Sequence, residues 1–308
     1  MYTEAQNYAI VRTELDRVFY QEFQYDQSFP SIATANTSAL FKPMSIDRAA
    51  YVEEIYKGAS LFPIIGETTQ VPQYTPSVAN KLTTFVKDFA KGVELSKNLF
   101  DDNMHGVWAK TVSDLAMKAR ISQDSNAFKI FRGAFTTTLT ADGAALISAS
   151  HTLLNGETYS NLVSGALSPS TLNLAIIALR QQKDQAGVVL GNVPAYLVVP
   201  SALFKKAIEI TESALVADSA NNNINVYRSA YNITIYTSPY LDAVVGGSDT
   251  AWFLLAKNHS ITRMIRQGLQ TFLRDWGYSD NRSYFYQANF REEVYVPDYI
   301  GTVGSTGL

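Results

Sequence analysis

The feature that most constrains this chain is a run of apolar residues at helical spacing between Asp101 and Phe131. Neighbouring apolar positions in the run are three or four residues apart and so share one helix face: Met104, Trp108, Val112, Leu115 and Ala119. We expect one continuous helix that begins after the capping residues Asp101 and Asp102 and ends at Gly133. At about 1.5 Å per residue, such a helix is about 40 Å long, which is typical of a strut.

The composition favours a protein that buries aromatic surface against partners. Charged residues make up 17% of the chain, below the ~25% usual for soluble proteins, whereas aromatic residues reach 12%. This combination is typical of the buried part of a protein–protein interface, although a large aromatic core has the same composition. The net charge of -3 provides no overall positive field, so any contact with nucleic acid must be local.

Residues that are scarce or missing disfavour several classes of protein. The chain has no cysteine, which excludes disulfides, thiol catalysis and cysteine-ligated metals. His105, His151 and His259 lack a second ligand at a convincing spacing, so we expect neither a metal site nor a cofactor. No apolar run approaches the ~18 residues needed to span a bilayer, and we expect no membrane contact.

The first 96 residues predict a helix, an arm and a long excursion. Residues 3–25 have a helical pattern, residues 26–46 resemble an extended arm, and Ile46–Tyr56 fits a short helix or a strand. Residues 58–96 are interrupted by prolines and then alternate, which predicts a two-stranded excursion. Such a loop cannot bury its own aromatic residues. We therefore expect Phe62, Tyr74, Phe85 and Phe89 of this loop to contact a neighbouring subunit. Phe19 and Phe23 of the N-terminal helix are further candidates for such contacts.

Residues 166–254 predict an α/β unit, and the chain after it predicts antiparallel strands. The expected elements are a helix over Leu167–Asp184 capped by Ser168, a strand over residues 194–199, a helix over Ser201–Ser213, and strands over Val226–Tyr236 and Thr250–Leu255. The aromatic segment from His259 onward favours antiparallel strands. Gly301–Leu308 consists mostly of small residues, and we expect a loose end.

Two groups of residues carry the side chains that catalysis or phosphate binding requires. Asp142, Ser148, Ser150 and His151 include the residue types of a hydrolase triad, but no Gly-X-Ser-X-Gly motif surrounds either serine, and a turn explains Asp142-Gly143. We expect no catalytic residue there. The long helix carries several basic residues, which a solvated helix face explains. DNA phosphate contact is the alternative, with Lys118, Arg120 and Lys129 as the candidates.

The segment Asp142-Gly-Ala-Ala-Leu-Ile-Ser-Ala-Ser-His151 resembles the major head proteins of tailed bacteriophages, particularly the Mu-like major head subunit group. Later motifs agree in kind and order: Asn161, the Leu167-Ser168 helix start, Gln182-X-Asp184 with Gly187, the Pro194–Pro200 strand, the Asn-rich loop before Arg228, Pro239-Tyr240-Leu241 and Trp252. The similarity covers roughly residues 98–256, and the order of the motifs is its specific part. The family commonly has Phe and Pro where this chain has Ile147 and Thr152. These departures weaken the resemblance to the Mu-like subgroup more than the resemblance to the fold.

The resemblance implies the Hong Kong 97 capsid fold, an α+β fold. Its implied parts are an N-terminal arm (1–57), an extended loop (58–96), a peripheral domain on a spine helix (97–165 and 255–308) and an axial α/β domain (166–254). Some members of this fold make inter-subunit isopeptide bonds, for which Lys81 is the residue to consider, although a loop lysine is ordinarily just solvated.

The resemblance also implies a non-enzymatic function, which we adopt as the expectation. Copies of the chain would form hexamers and pentamers of an icosahedral head that encloses phage DNA non-specifically. Portal and scaffolding proteins are further implied partners, and a decoration protein is left open. The implied locations are the capsid of the virion and, during assembly, the host cytoplasm. Residues 1–56 lack the long charged heptads of a scaffolding segment, so we expect scaffolding from a separate protein.

Two alternatives stay open at this point. An encapsulin-like compartment shares the fold but needs a cargo-docking groove, which nothing in the sequence indicates. An α/β enzyme or ligand-binding protein is the alternative from another class. The missing cysteine, the scarce histidine and the long aromatic loop stand against it.

Overall fold

The computed structural model describes residues 4–24, 39–67, 70–98, 105–213, 226–274 and 283–308. The chain divides into two compact units. Unit 1 comprises residues 1–50, 85–127 and 263–294, and unit 2 comprises residues 51–84, 128–262 and 295–308. Within the described ranges, no helix is both long enough and apolar enough to cross a membrane.

The elements follow one another as a mixed α and β chain. The helices are α1 (Glu4–Phe23), α2 (His105–Arg132), α3 (Pro169–Arg180), α4 (Phe204–Thr211) and α5 (Val226–Ala230). The strands are β1 (Lys42–Ser45), β2 (Ala50–Tyr56), β3 (Val78–Phe85), β4 (Lys87–Ser96), β5 (His151–Thr152), β6 (Thr158–Tyr159), β7 (Pro194–Val199), β8 (Thr234–Thr237), β9 (Trp252–Ala256), β10 (Thr262–Arg274), β11 (Ser283–Tyr295) and β12 (Thr302–Ser305).

Unit 1 is built on a four-stranded sheet in the order β1-β10-β11-β4. Strands β4 and β11 are antiparallel, and Phe89 lies opposite Phe290 with the ring centroids 4.8 Å apart. The apolar stripes of α1 and α2 share one core with the sheet, and its fully or almost fully buried members include Leu15, Phe19, Trp108, Val112 and Tyr286. Burial of these large side chains is the main stabilising contribution in this unit.

The predicted long helix is confirmed, because α2 runs for 28 residues, or about 42 Å. The proposed caps Asp101 and Asp102 and the stripe residue Met104 lie outside the described residues. Gly133 ends the helix: its carbonyl accepts hydrogen bonds from three following amides, and its own amide donates to Lys129. A Cβ atom at Gly133 would collide with the hydroxyl oxygens of Thr137 and Thr138, so a larger residue would force these side chains to move.

Unit 2 contains a second four-stranded sheet in the order β12-β9-β7-β8. Strand β7 is parallel to β8 and antiparallel to β9, which is also antiparallel to β12. The core over this sheet includes Leu172, Ile176, Leu197, Trp252 and Leu254. The predicted cap of α3 is confirmed, because Ser168 and Thr171 form a reciprocal capping box with proline in the first turn.

Two predictions for unit 2 are wrong. Residues Val226–Tyr236 form helix α5 and then strand β8, because Asn232 adopts a left-handed backbone (φ 44°) that separates them. The expected loose end is a fully buried strand, β12, paired with β9. Its small residues serve close packing, since a Cβ atom on Gly304 would lie 2.9 Å from the Phe253 ring.

The predicted excursion over residues 58–96 is placed differently in the structure. Its two strands do not pair with each other, because β3 pairs with β2 and β4 pairs with β11. The alternation pattern predicted the strands correctly but carried no information about their partners. The division into arm, extended loop, peripheral domain and axial domain stays a prediction.

Candidate assembly surface and the buried motif cluster

The segment between β2 and β3 exposes a concentration of apolar side chains. We call the described residues 57–67 and 70–77 the tip. Phe62 is 98% exposed in the single chain, and the other exposed apolar residues of the tip are Leu61, Ile64, Ile65, Val71 and Tyr74. Exposed apolar groups at this density mark protein–protein contact sites. The tip is therefore the candidate assembly surface.

Polar contacts hold the strands at the base of the tip. The amide of Lys57 donates to the carbonyl of Ser77 at 3.0 Å. The ammonium group of Lys81 on β3 lies 2.6 Å from the carboxylate of Glu54 on β2. Tyr56 donates a hydrogen bond to the same carboxylate, and the hydroxyl of Tyr295 donates to Glu53. These contacts hold β2 and β3 together at the two ends of the tip.

Lys81 is expected to form no isopeptide bond, so subunits from assembled particles should run as monomers on a denaturing gel. The hydrogen bond to Glu54 raises the pKa of Lys81, which keeps the amine protonated and therefore not nucleophilic. A ladder of covalent oligomers that disappears in Lys81→Arg would contradict this expectation. Lys91→Arg, another exposed lysine, is the control.

The structure separates the predicted subunit contacts into two groups. Phe62, Tyr74 and Phe85 are exposed, and their contact with a neighbour stays a prediction. Phe19 is fully buried and Phe23 stacks on it at 6.2 Å, so the prediction that Phe19 faces a neighbour is wrong. The four-residue spacing that made them conspicuous puts both on the core-facing side of α1. Phe89 is partly buried against Phe290.

The candidate DNA-facing residues are also divided. Lys118 and Lys129 are exposed on α2, and their role stays a prediction. Arg120 is only 2% exposed, and its Nη1 donates to the carbonyl of Glu22 at 3.4 Å. The prediction that Arg120 faces DNA is therefore wrong. Two helical residues separated by one position point about 200° apart, so Lys118 and Arg120 cannot serve one surface.

Residues of the predicted motifs meet in the interior of unit 2. The Nδ1 atom of His151 lies 2.7 Å from Oδ2 of Asp142, and its Nε2 atom lies 3.1 Å from Oδ1 of Asn161. His151 is fully buried, and the ring of Tyr299 stacks on it at 4.1 Å. Burial acts to raise the pKa of Asp142, but hydrogen bonds from His151, Thr140 and the Ala144 amide outweigh it and lower the pKa.

The serines near His151 are arranged for a local turn. The amide of Ser150 donates to the hydroxyl oxygen of Ser148 at 3.2 Å, and that hydroxyl contacts the Ser150 carbonyl. The His151 nitrogen that would activate a serine in a hydrolase faces Asn161 instead. The geometry at Asp142, Ser148, Ser150 and His151 is therefore that of a structural cluster.

Asn161 and Gln182 connect this cluster to the last strand, β12, through hydrogen bonds. The amide nitrogen of Asn161 donates to the carbonyls of Leu146 and Thr302, while its oxygen accepts from the Ser148 amide at 2.8 Å. Gln182 donates to the Thr302 carbonyl at 2.9 Å and accepts from the Gly301 amide at 2.7 Å. Residues that are distant in sequence thus satisfy one another's buried polar groups.

The motif Gln182-X-Asp184 with Gly187 has a related explanation. Oδ1 of Asp184 accepts hydrogen bonds from the amides of Ala186 and Val188. Gly187 closes this turn with a left-handed backbone (φ 85°). These motif residues therefore have structural roles, since they form buried hydrogen bonds and tight turns within unit 2.

Asp298 belongs to the same region and had no signal in the sequence. Burial raises its pKa to about 6, although the amides of Ile300 and Tyr299 donate to its carboxylate and oppose the shift. Nearby Asp142 adds to the increase, and His151 opposes it. An isolated aspartate after a proline has no sequence pattern from which this environment could be inferred.

Asp298→Asn is expected to stabilise the protein above about pH 7, by at most about 3 kcal/mol. The folded-state pKa is raised, so the contribution of this carboxyl is fully present below its unfolded pKa, near 4, and is lost as the pH rises through about 6. Chemical denaturation of both proteins at several pH values tests this. The two stabilities should converge at low pH, and a constant difference across the range would contradict the explanation.

A family model described as phage capsid protein matches residues 80–303, which is more than half of the chain. No curated protein sequence is significantly similar to the chain.

The fold is similar to those of solved shell proteins. A structure from Microbacterium phage Oxtober96 has a TM-score of 0.56 at 12% identity, covering 92% of this chain and 93% of that one. The capsid of cyanophage P-SCSP1u gives 0.56 at 12% identity, with coverages of 91% and 89%. A virus-like particle from Pyrococcus furiosus gives 0.55 at 9% identity, with coverages of 95% and 98%. The predicted capsid fold is confirmed, and with the family match the chain belongs to the phage capsid protein family.

Proposed function

We propose that this chain is the major subunit of an icosahedral head shell that encloses phage DNA, and that its copies join through the tip. Membership of the phage capsid protein family supports a shell function. The observation that carries the role of the tip is the exposure of Phe62 and its apolar neighbours in the isolated chain. Covering this surface with a second copy would contribute about 25 cal/mol for each Å² removed from water.

The tip makes the proposed contact between copies asymmetric, because one copy contributes its tip and the next copy a different surface. A projecting segment that docks on a different surface of the next copy makes a head-to-tail contact, and repeated head-to-tail contacts close into rings when the geometry permits. Rings of subunits are the building blocks that a closed shell requires. We propose that residues 58–96 act as the extended loop in this arrangement, with the peripheral and axial domains divided as in the sequence analysis. Portal and scaffolding proteins, and assembly in the host cytoplasm, belong to the same proposal.

Electron microscopy of the purified chain tests the proposal. Negative-stain images should show closed particles or capsomer-like rings, and sedimentation should show them forming with increasing protein concentration. A chain that remains monomeric up to high concentration, with intact secondary structure, would overturn the proposal. Particles that retain host proteins but never nucleic acid would favour the encapsulin-like alternative. Family membership already argues against an α/β enzyme.

Direct binding of DNA is expected to be weak, steeply salt-dependent and independent of sequence, because the net charge is -3. Replacing Lys118 and Lys129 by glutamine should lower any affinity equally for all sequences and reduce the salt dependence. Fluorescence anisotropy with two unrelated duplexes at several salt concentrations measures this. Replacing Lys205 and Lys206, two exposed lysines on α4, by glutamine is the matched control, because it removes the same number of charges. A preference for one duplex that the substitutions remove would contradict the expectation.

A further inference from the structure

The turn between β5 and β6 contains the sequence's single Asn-Gly pair, Asn155-Gly156. Both residues are exposed. Gly156 has a left-handed backbone (φ 85°), and nothing lies within 4 Å of the position that its Cβ atom would occupy. Asparagine is among the chemically labile residues, and a following glycine leaves its side chain open to attack by the next backbone nitrogen.

We propose that Asn155 is a site of spontaneous deamidation in the folded protein. Water or hydroxide removes the proton of the Gly156 amide, and its nitrogen attacks Cγ of Asn155. The bond from Cγ to Nδ2 then breaks, and Nδ2 leaves as ammonia after taking up a proton. A water molecule opens the resulting succinimide by breaking one of its two C–N bonds, which leaves aspartate or isoaspartate.

The local hydrogen bonds favour the attack at one atom and oppose it at another. The amide of Glu157 donates to Oδ1 of Asn155 at 2.9 Å, so the oxygen that gains negative charge during the attack already has a donor. The Gly156 amide donates to the carbonyl of Leu153 at 3.0 Å, and this bond must open first. It closes a short exposed turn, where local opening costs little free energy.

Deamidation would change the electrostatics of this surface. A Cβ atom on Gly187 would lie 2.6 Å from Nδ2 of Asn155, so the new carboxylate would stand against the Gly187 turn. Glu157 is adjacent, and its carboxylate is paired with Lys183 at 2.7 Å. The modification adds a negative charge beside Glu157. An isoaspartate also lengthens the backbone of the turn in the hairpin whose first strand, β5, begins at buried His151.

Incubation of the purified full chain in mildly acidic and mildly alkaline buffer tests the proposal. Peptide mass mapping should find the amide-to-acid mass increase at Asn155, with more conversion at alkaline pH, and an isoaspartate-specific methyltransferase should label the product. Isoelectric focusing should show a species with one additional negative charge. Asn173, which is exposed on α3 and followed by leucine, and buried Asn161 are internal controls and should stay unmodified.

Two results would overturn the proposal. The first is that Asn155 converts no faster than Asn173 in the folded chain. If Asn155 then converts only in urea-unfolded protein, the hydrogen bond from the Gly156 amide to the Leu153 carbonyl is what protects it. The second is the same acidic species in Asn155→Gln, since the charge change would then arise elsewhere. Asn155→Gln retains an exposed amide, so the variant should fold and is expected to lack the acidic species.

Discussion

Replacing Phe62 and Ile64 by serine is expected to abolish closed particles while leaving the chain folded. Both side chains are almost fully exposed in the single chain, so their removal should change the stability of the monomer by less than about 0.5 kcal/mol. Burial of each one in a contact between copies contributes roughly 2 kcal/mol. Every subunit of a shell makes the contact, so a small loss per contact is repeated throughout the particle.

Sedimentation velocity and negative-stain microscopy measure the assembly, and circular dichroism measures the folding of the variant. Leu308→Ser is the matched control, because Leu308 is 89% exposed and lies outside the tip. The control should assemble like the unmodified chain. If the Phe62 and Ile64 variant forms particles at the same protein concentration, the tip is not an assembly element.

Asn161→Leu is expected to destabilise the protein by about 3 to 5 kcal/mol. Leucine has a similar size but cannot replace the hydrogen bonds that Asn161 makes with Ser148, His151 and two carbonyls. Each buried group left without a partner costs about 1–3 kcal/mol, and the costs are not strictly additive. The loss should be largest near Thr302, whose carbonyl would lose the bond from Asn161 and keep the bond from Gln182.

Urea denaturation measures the change in stability, and hydrogen exchange at β12 locates it. Asn173→Leu is the matched control, since Asn173 lies on the exposed face of α3 and its replacement should change stability by less than about 0.5 kcal/mol. A loss below about 1 kcal/mol for Asn161→Leu would mean that the network stabilises the fold less than its hydrogen bonds indicate.

The parts of the fold that depend on local chemistry could be predicted from the sequence. The length of α2 follows from a stripe of apolar residues, and the start of α3 follows from Ser168 and Pro169. In both cases the determining residues lie within a few turns of the structure they determine. The tip was also predictable, because a proline-broken segment that contains Phe62 and few charged residues has no means of covering its own apolar side chains.

The remaining features depend on residues far apart in the sequence. The partners of β3 and β4 come from opposite directions along the chain, and an alternating pattern does not say which strand lies next to it. Arg120 is charged, yet packing places it in the interior. The small residues of β12 predicted flexibility, although Gly304 among them is needed because the Phe253 ring lies against it. Asp298 acquires its raised pKa only from neighbours that the fold brings together.

The pairing of β4 with β11 has a consequence for how the chain folds. Phe89 meets Phe290 across these strands, and the hydroxyl of Tyr8 donates to the carbonyl of Leu273, 265 residues later, so unit 1 joins segments that are synthesised far apart in time. At roughly 5–20 residues per second, the ribosome leaves the early segments without their partners for at least about ten seconds. Contacts of such long sequence separation also form slowly. Nascent chains on crowded polysomes should therefore be the species most prone to aggregation, and chaperones that bind unpaired strands should raise the yield of soluble subunit.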